Sequence, residues 1–234
     1  DMLDELPYLS ETMHPIISKT IDGTQGILNE TAYSLSEGEL AKHLPSYPEA
    51  GEEPLVLVVH THGTECYFDP KDGMNVYYSD SSNIIEGYYD EKKTKTRTED
   101  TQKNVVAVGR AFCQSLELFG IPSIHCEQMF DLDDYNTAYS KSGQAISEYL
   151  EKYPSIRLVI DLHRDSLISD ELVKIKTVAK NISPKSAQVM IVAGSDAGGS
   201  YYPNWKRNLA LDLKIKEVMD EKYPSLSRPI FFRG

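Results

Sequence analysis

Five apolar residues, Leu55 to Val59, run directly into His60-Thr-His62-Gly-Thr-Glu65. This junction constrains the fold more than any other stretch. A short apolar run, rich in β-branched residues and stopped by polar and glycine signals, reads as a strand buried on both faces. Such a strand ends in a loop at the carboxyl edge of a sheet, where α/β proteins place their ligands. Ile156 to Asp165 repeats the form: Ile156-Arg-Leu-Val-Ile-Asp161-Leu-His163-Arg-Asp165. Two buried strands that both end in histidine and carboxylate imply one site assembled from distant parts of the chain.

The rest of the pattern supports an α/β reading. Val105, Val108, Phe112, Leu116 and Phe119 recur at three- and four-residue steps, and Gly120 closes this helix, with Thr98 or Thr101 expected as its N-cap. Ile121 to His125 reads as a strand at an edge that tolerates Pro122, and Tyr135 to Leu150 as a second helix with Ala138, Tyr139, Ser142, Ile146 and Tyr149 on one face. Ala187 to Gly194 is a third buried strand, Trp205 to Tyr223 a long amphipathic helix, and Arg228 to Gly234 the start of another strand. This alternation predicts a doubly wound, mostly parallel sheet flanked by helices. The expected organisation is an irregular extension over residues 1–50 followed by one domain over 51–234. In the extension, Leu3 to Ile17 is broken by Pro7 and Pro15, Gly23 to Gly26 reads as a turn, and Ser34 to Leu44 as a short capped helix. His14 and His43 read there as solvated surface histidines. Residues 66–103 lack a period and hold several tyrosines and a run of charge from Asp90 to Arg97, so they are expected to form either one wall of a cleft or a solvated insertion.

Charge excludes some functions. The net charge of −12 over 234 residues argues against a nucleic-acid binder, which needs a basic stripe to neutralise phosphates. Cys66, Cys113 and Cys126 form neither a CxxC pair nor a zinc-ribbon spacing. Asp1-Met-Leu-Asp has no signal-peptide pattern.

Catalytic zinc takes three protein ligands and keeps one position open. His62 and Glu65 lie three residues apart in a tight loop and His163 comes from the second strand end, so these three form the candidate ligand set for one zinc ion. His60 alternates with His62 and must point the other way, and Asp100 competes with Glu65 for the carboxylate position. Asp161 and Asp165 are candidates for orienting an imidazole from behind. His163-Arg-Asp165 also spells the letters of a kinase catalytic loop, but Asp170 stands where an asparagine belongs and no glycine-rich loop accompanies it. Cys66 beside the cluster offers a thiol nucleophile without a nucleophile elbow.

At these residues the chain resembles the stage II sporulation protein P family. His60-Thr-His-Gly-Thr-Glu65, Asn104 to Gly109, Tyr135-Asn-Thr-Ala-Tyr139, Ile160-Asp-Leu-His-Arg-Asp165, Ala187 to Met190 and Asn204 to Ala210 carry the resemblance over about residues 27–234. The family is similar to zinc-dependent N-acetylmuramoyl-L-alanine amidases. The resemblance implies hydrolysis of the amide between muramic acid and L-alanine in peptidoglycan, with an additional endopeptidase activity on stem-peptide cross-links. It implies one of His60 and His62, a nearby carboxylate and His163 as zinc ligands, and stage II sporulation proteins D and M as partners. The implied setting is extracytoplasmic and membrane-anchored, during engulfment. A general-base glutamate is implied on a strand nearer the C-terminus, in a segment like LLIEVG; the expectation is that it lies beyond residue 234, so that this chain lacks that strand. A non-catalytic peptidoglycan-binding module and a metallocarboxypeptidase-like enzyme are the competing readings.

Overall fold

A computed structural model describes residues 26–46, 51–67, 75–78, 85–88, 96–168, 174–175, 177, 179, 181–182 and 186–234. The expectations for Leu3 to Ile17, for His14 and for most of the charged run after Asp90 lie outside the described residues. The chain divides into two compact units. One comprises Tyr47–Val76 and Gly87–Val173; the other comprises Asp1–Ser46, Tyr77–Glu86 and Lys174–Gly234.

The first unit is built on a three-stranded parallel sheet. Its strands are β2 (Val56–Val59), β5 (Ser123–His125) and β6 (Leu158–Asp161), with β2 in the centre and β5 at one edge. In sequence, β2 is followed by the short strands β3 (Asn75–Tyr78) and β4 (Ile85–Tyr88), which pair with each other and fall partly in the other unit, and then by helix α2 (Val105–Leu118), which leads into β5. Helix α3 (Ala138–Lys152) connects β5 to β6 and follows a 3-10 turn over Tyr135–Thr137.

Alternation along β2 splits its side chains between two cores. Leu57 and Val59 join Cys126, Phe130, Ala138 and Ile156 on one face, with Ile146 and Tyr149 of α3 packed against them. Val56 and Val58 join Cys113 of α2 on the other face, with Leu116 alongside. The sheet is therefore covered on both sides, as a doubly wound arrangement requires. Leu57, Val58 and Val59 are fully buried, and removing each from water stabilises the fold by about 1.5–3 kcal/mol.

Two expectations for α2 change. Its N-cap is Asn104, whose side chain accepts from the Val106 amide and donates to the Thr98 carbonyl, rather than Thr98 or Thr101. Its buried face is Val105, Val106, Gly109 and Cys113, while Val108, Phe112 and Phe119 are exposed. Gly109 explains the rotation. A Cβ there would lie 2.5 Å from His60 Nε2 and 2.6 Å from His125 Nε2, so the helix turns its one side-chain-free position toward two buried imidazoles.

The second unit has its own parallel sheet, ordered β1 (Ile27–Asn29), β10 (Ile230–Arg233), β9 (Val192–Gly194). The parallel α/β pattern is as expected, with the strands shared between two three-stranded sheets. Short strands β7 (Leu167–Ile168) and β8 (Lys174–Ile175) precede β9 in sequence. Helix α1 (Glu37–Ala41) occupies the middle of the Ser34–Leu44 prediction; Ser36 is its extended N-cap and makes no side-chain cap bond. Helix α4 (Trp205–Lys222) packs Trp205 and Leu209 onto Ile27, Ala193, Ile230 and Phe232. Trp205 stacks on Tyr33 with ring centroids 4.8 Å apart.

Candidate metal centre

Strand order places the candidate ligands. In the first unit the chain leaves central β2, reaches edge strand β5 through α2, then crosses to β6 on the other side of β2 through α3. The loops after β2 and β6 therefore open at adjacent strand ends where the winding reverses, the position at which open α/β sheets bind ligands. His62 and Glu65 follow β2, and His163 follows β6.

The structure brings these three together. One ligand atom from each of His62, Glu65 and His163 lies within 4.8 Å of the other two. His62 Nδ1 is 4.0 Å from Glu65 Oε1, and His163 Nδ1 is 3.4 Å from Glu65 Oε2. His62 and Glu65 are buried, and His62 Nε2 has no hydrogen-bond partner among the described residues. An orphaned, buried ring nitrogen beside a second imidazole and a carboxylate is a donor set that suits a bound cation.

Local chemistry holds each candidate ligand. Gly63 lets the turn after β2 close, since a Cβ there would lie 2.5 Å from the Met129 side chain and 3.0 Å from Met129 Cα. The Glu65 carbonyl accepts from the Val105 amide at 2.8 Å, and its Oε2 accepts from the Arg164 amide at 2.7 Å. Arg164 spends its guanidinium on the carbonyls of Cys66 and Thr96. The ends of the long segment after Cys66 are thus tied together, with Thr98 donating to Thr64 and isolated bridges joining Glu65 to Arg97 and Cys66 to Asn104.

Behind His163, Asp161 Oδ2 lies 3.0 Å from Nε2. Asp161 also accepts from the Thr61 amide at 2.9 Å and the Thr61 hydroxyl at 2.6 Å, and Ser142 of α3 sits 2.7 Å from that hydroxyl. Burial opposes the charged form of His163, but hydrogen bonds and charge from Asp161 and Glu65 outweigh it and push its pKa up to about 10. Burial would raise Asp161, yet its bonds to His163 and Thr61 hold it below the usual carboxylate range. Burial keeps His62 below the ordinary histidine value, and so in the neutral form that binds metals.

The other candidates lie elsewhere. His60 is fully buried and turned away from the cluster, with Nδ1 2.9 Å from the Leu162 carbonyl and Nε2 2.8 Å from His125 Nε2. Asp100 accepts from the Gln102 amide at an exposed turn and is not in the cluster. Asp165 is exposed and accepts from the Ser166 amide. Cys66 is buried.

Three neighbours were not assigned to the site from the sequence, although Tyr135 and Tyr139 stood in a motif of the resemblance. Tyr135 stacks on His62 with rings 4.3 Å apart and nearly parallel, and Tyr139 meets His62 edge-on at 5.2 Å. Arg97 pairs with Asp131 at 2.6 Å and stands 4.7 Å over the Tyr135 ring. The Tyr135-x-x-x-Tyr139 spacing was the available signal, since it sets two rings on one face of a helical turn.

A two-histidine, one-carboxylate cluster at the reversal point of a doubly wound sheet defines an α/β protein with a candidate site for a single metal ion. The chain matches the family model described as Stage II sporulation protein P (SpoIIP) over residues 18–234. It belongs to that family, and membership supports a role connected with sporulation. A relative from Bacillus subtilis (strain 168), "Stage II sporulation protein P", is 25% identical over 214 residues, covering 88% of this chain and 46% of the relative. The chain thus spans about half the length of that curated relative. No solved structure matches the chain. Among the described residues no helix is long and apolar enough to cross a membrane.

Proposed function

We propose that this chain is the hydrolytic part of a sporulation-specific peptidoglycan hydrolase that cleaves the amide between N-acetylmuramic acid and L-alanine, with stem-peptide cross-links as a second target. The observation that carries the reading is the convergence of His62, Glu65 and His163 in a chain of this family. In this reading the three side chains hold one zinc ion. Zinc bound there would supply polarisation of the scissile carbonyl and a water made acidic at neutral pH.

The chain's own residues prepare that site. Asp161 accepts the Nε2 proton of His163 and so leaves Nδ1, the nitrogen facing Glu65, as the ligand atom. Thr61 and Ser142 fix Asp161 in turn. Tyr135 and Tyr139 cover the flank of His62, limit water there and offer aromatic faces to a sugar or peptide. The carboxylate that carries the proton to the leaving amine is, in this reading, the general-base glutamate that the family resemblance implies. Stage II sporulation proteins D and M would be partners, at a membrane-associated site during engulfment.

The test is digestion of purified sacculi by the full-length protein, with and without a chelator. New amino termini on L-alanine, lost on chelation and restored by zinc, are expected. Binding to sacculi without release of any fragment would overturn the reading in favour of a wall-binding module. Release of C-terminal residues alone would favour a carboxypeptidase-like enzyme.

A further inference from the structure

We propose that Arg97 is a specificity-determining residue that receives a carboxylate of the substrate beside the metal centre. In the stem peptide this is the free α-carboxylate of its acidic second residue. The proposal rests on the peptidoglycan reading above and adds to it the residue that selects among wall chemistries.

The guanidinium is half committed. Nη1 donates to Asp131 Oδ2 at 2.6 Å and to the Thr64 hydroxyl at 3.1 Å, and the Asp131 side chain is wholly buried. That end is an anchor whose direction is set by the core. Nη2 stands 3.8 Å from Glu65 Oε1, beyond hydrogen-bond length, and it and Nε have no hydrogen bond among the described residues. The side chain is 39% exposed and stands at the edge of the ligand cluster. Arg164, the other arginine at the site, differs: its donors are taken by the carbonyls of Cys66, Thr96 and Asp165. Arg97 is the one of the two with an arm to offer.

Chemistry and charge agree on what that arm takes. A guanidinium held at one nitrogen presents its remaining donors in a fixed plane, which matches a carboxylate better than a carbonyl. The chain carries a net charge of −12 and would repel an anionic wall fragment unless the site supplied local positive charge. Tyr135 lies against both Arg97 and His62, and it is exposed, so a peptide bound along its rim can reach Arg97 with its carboxylate and the ligand cluster with its amide.

The experiment compares zinc-loaded full-length protein on two soluble muropeptides that differ only in whether the second-residue α-carboxyl is free or amidated. Wild type is expected to prefer the free acid by about tenfold or more in kcat/KM, through KM. Arg97→Lys keeps a cation for Asp131 but removes the second arm; it should bring the two substrates to within about twofold while leaving zinc content and melting temperature unchanged. Equal rates on both substrates in wild type, or a preference that survives in Arg97→Lys, would overturn the proposal while the hydrolase reading stands. Loss of kcat alone on both substrates would also overturn it. If wild type cleaves neither muropeptide and leaves sacculi intact, the hydrolase reading fails and this assignment falls with it.

Discussion

The Nε2 atoms of His60 and His125 lie 2.8 Å apart beneath the strand that delivers His62. Burial holds both imidazoles below their ordinary pKa. With His60 neutral, its Nδ1 proton must go to the Leu162 carbonyl, so His60 Nε2 accepts from His125. The pair therefore links β5 to β2 and β2 to the residue just before His163. Gly109 is what admits it. Gly109→Ala would press a methyl against both rings, and about 1–3 kcal/mol of stability should be lost in urea unfolding. A stability within experimental error of wild type would show that α2 does not pack this closely on the histidine pair.

Metal uptake should depend on pH through His163. In the metal-free protein its pKa stands at about 10, well above the ordinary value, so the imidazolium stabilises the fold below about pH 6.5 and that contribution is lost as pH rises through about 10. A metal must displace this proton. Chelator competition between pH 7 and 9 should show affinity rising by roughly tenfold per pH unit, with a proton released on binding. Asp161→Asn removes the main carboxylate partner and should flatten the slope. A pH-independent affinity in wild type would contradict the proton's place between Asp161 and Glu65.

Loss of the candidate ligands should abolish binding. Zinc content measured by plasma mass spectrometry is expected near one ion per chain in wild type, and near zero in both His62→Ala and His163→Ala. His60→Gln should retain the ion, because His60 faces the opposite side of the strand. Zinc retained in both ligand variants would place the ion elsewhere.

Asn104 joins helix capping to site geometry. It caps α2 through the Val106 amide and fastens Thr98, while the next residue's amide holds the Glu65 carbonyl. Asn104→Ala should cost about 1–2 kcal/mol in unfolding free energy and weaken metal affinity as well. A stability loss with unchanged affinity would show that the cap and the Glu65 loop are independent.

In the second unit, burial raises Asp212 of α4 to about 7. A carboxyl whose folded pKa exceeds its unfolded one binds its proton more tightly in the native state. Stability must then fall as pH rises from about 4 through 7. Asp212→Asn should flatten that part of the melting-temperature profile and stabilise the protein at pH 8. An unchanged profile would mean that water already relieves the buried charge.

The local features were legible from residue order. The apolar runs ending in histidine and carboxylate marked β2 and β6, and period-two alternation separated His60 from His62. Partnerships across the chain were not. An apolar run declares that it is buried but not against which strand, so nothing in Ile27 to Asn29 announced that it would pair with Ile230 to Phe232. The buried face of α2 was misjudged because hydrophobic periodicity counts Val108 and Phe112 but gives no weight to a glycine, and here the packing surface includes two histidines. Asn104 lost to Thr98 and Thr101 as the expected cap because several polar residues in succession can all cap, and only the fold supplies the second partner. Arg97 and Asp131 lie 34 positions apart with no local pattern joining them.

The parallel pairing of β1 with β10 also sets an order of events during synthesis. The β2, β5 and β6 sheet is complete once the chain has emerged past residue 161, whereas Ile27 to Asn29 leaves the ribosome early and its partner strand follows some two hundred residues later. Closing so long a loop carries an entropic cost that only the finished sheet of the second unit offsets. A nascent chain whose first 180 residues have emerged from the ribosome should therefore already protect the β2, β5 and β6 unit from protease while Ile27 to Asn29 still waits, unpaired, for Ile230 to Phe232.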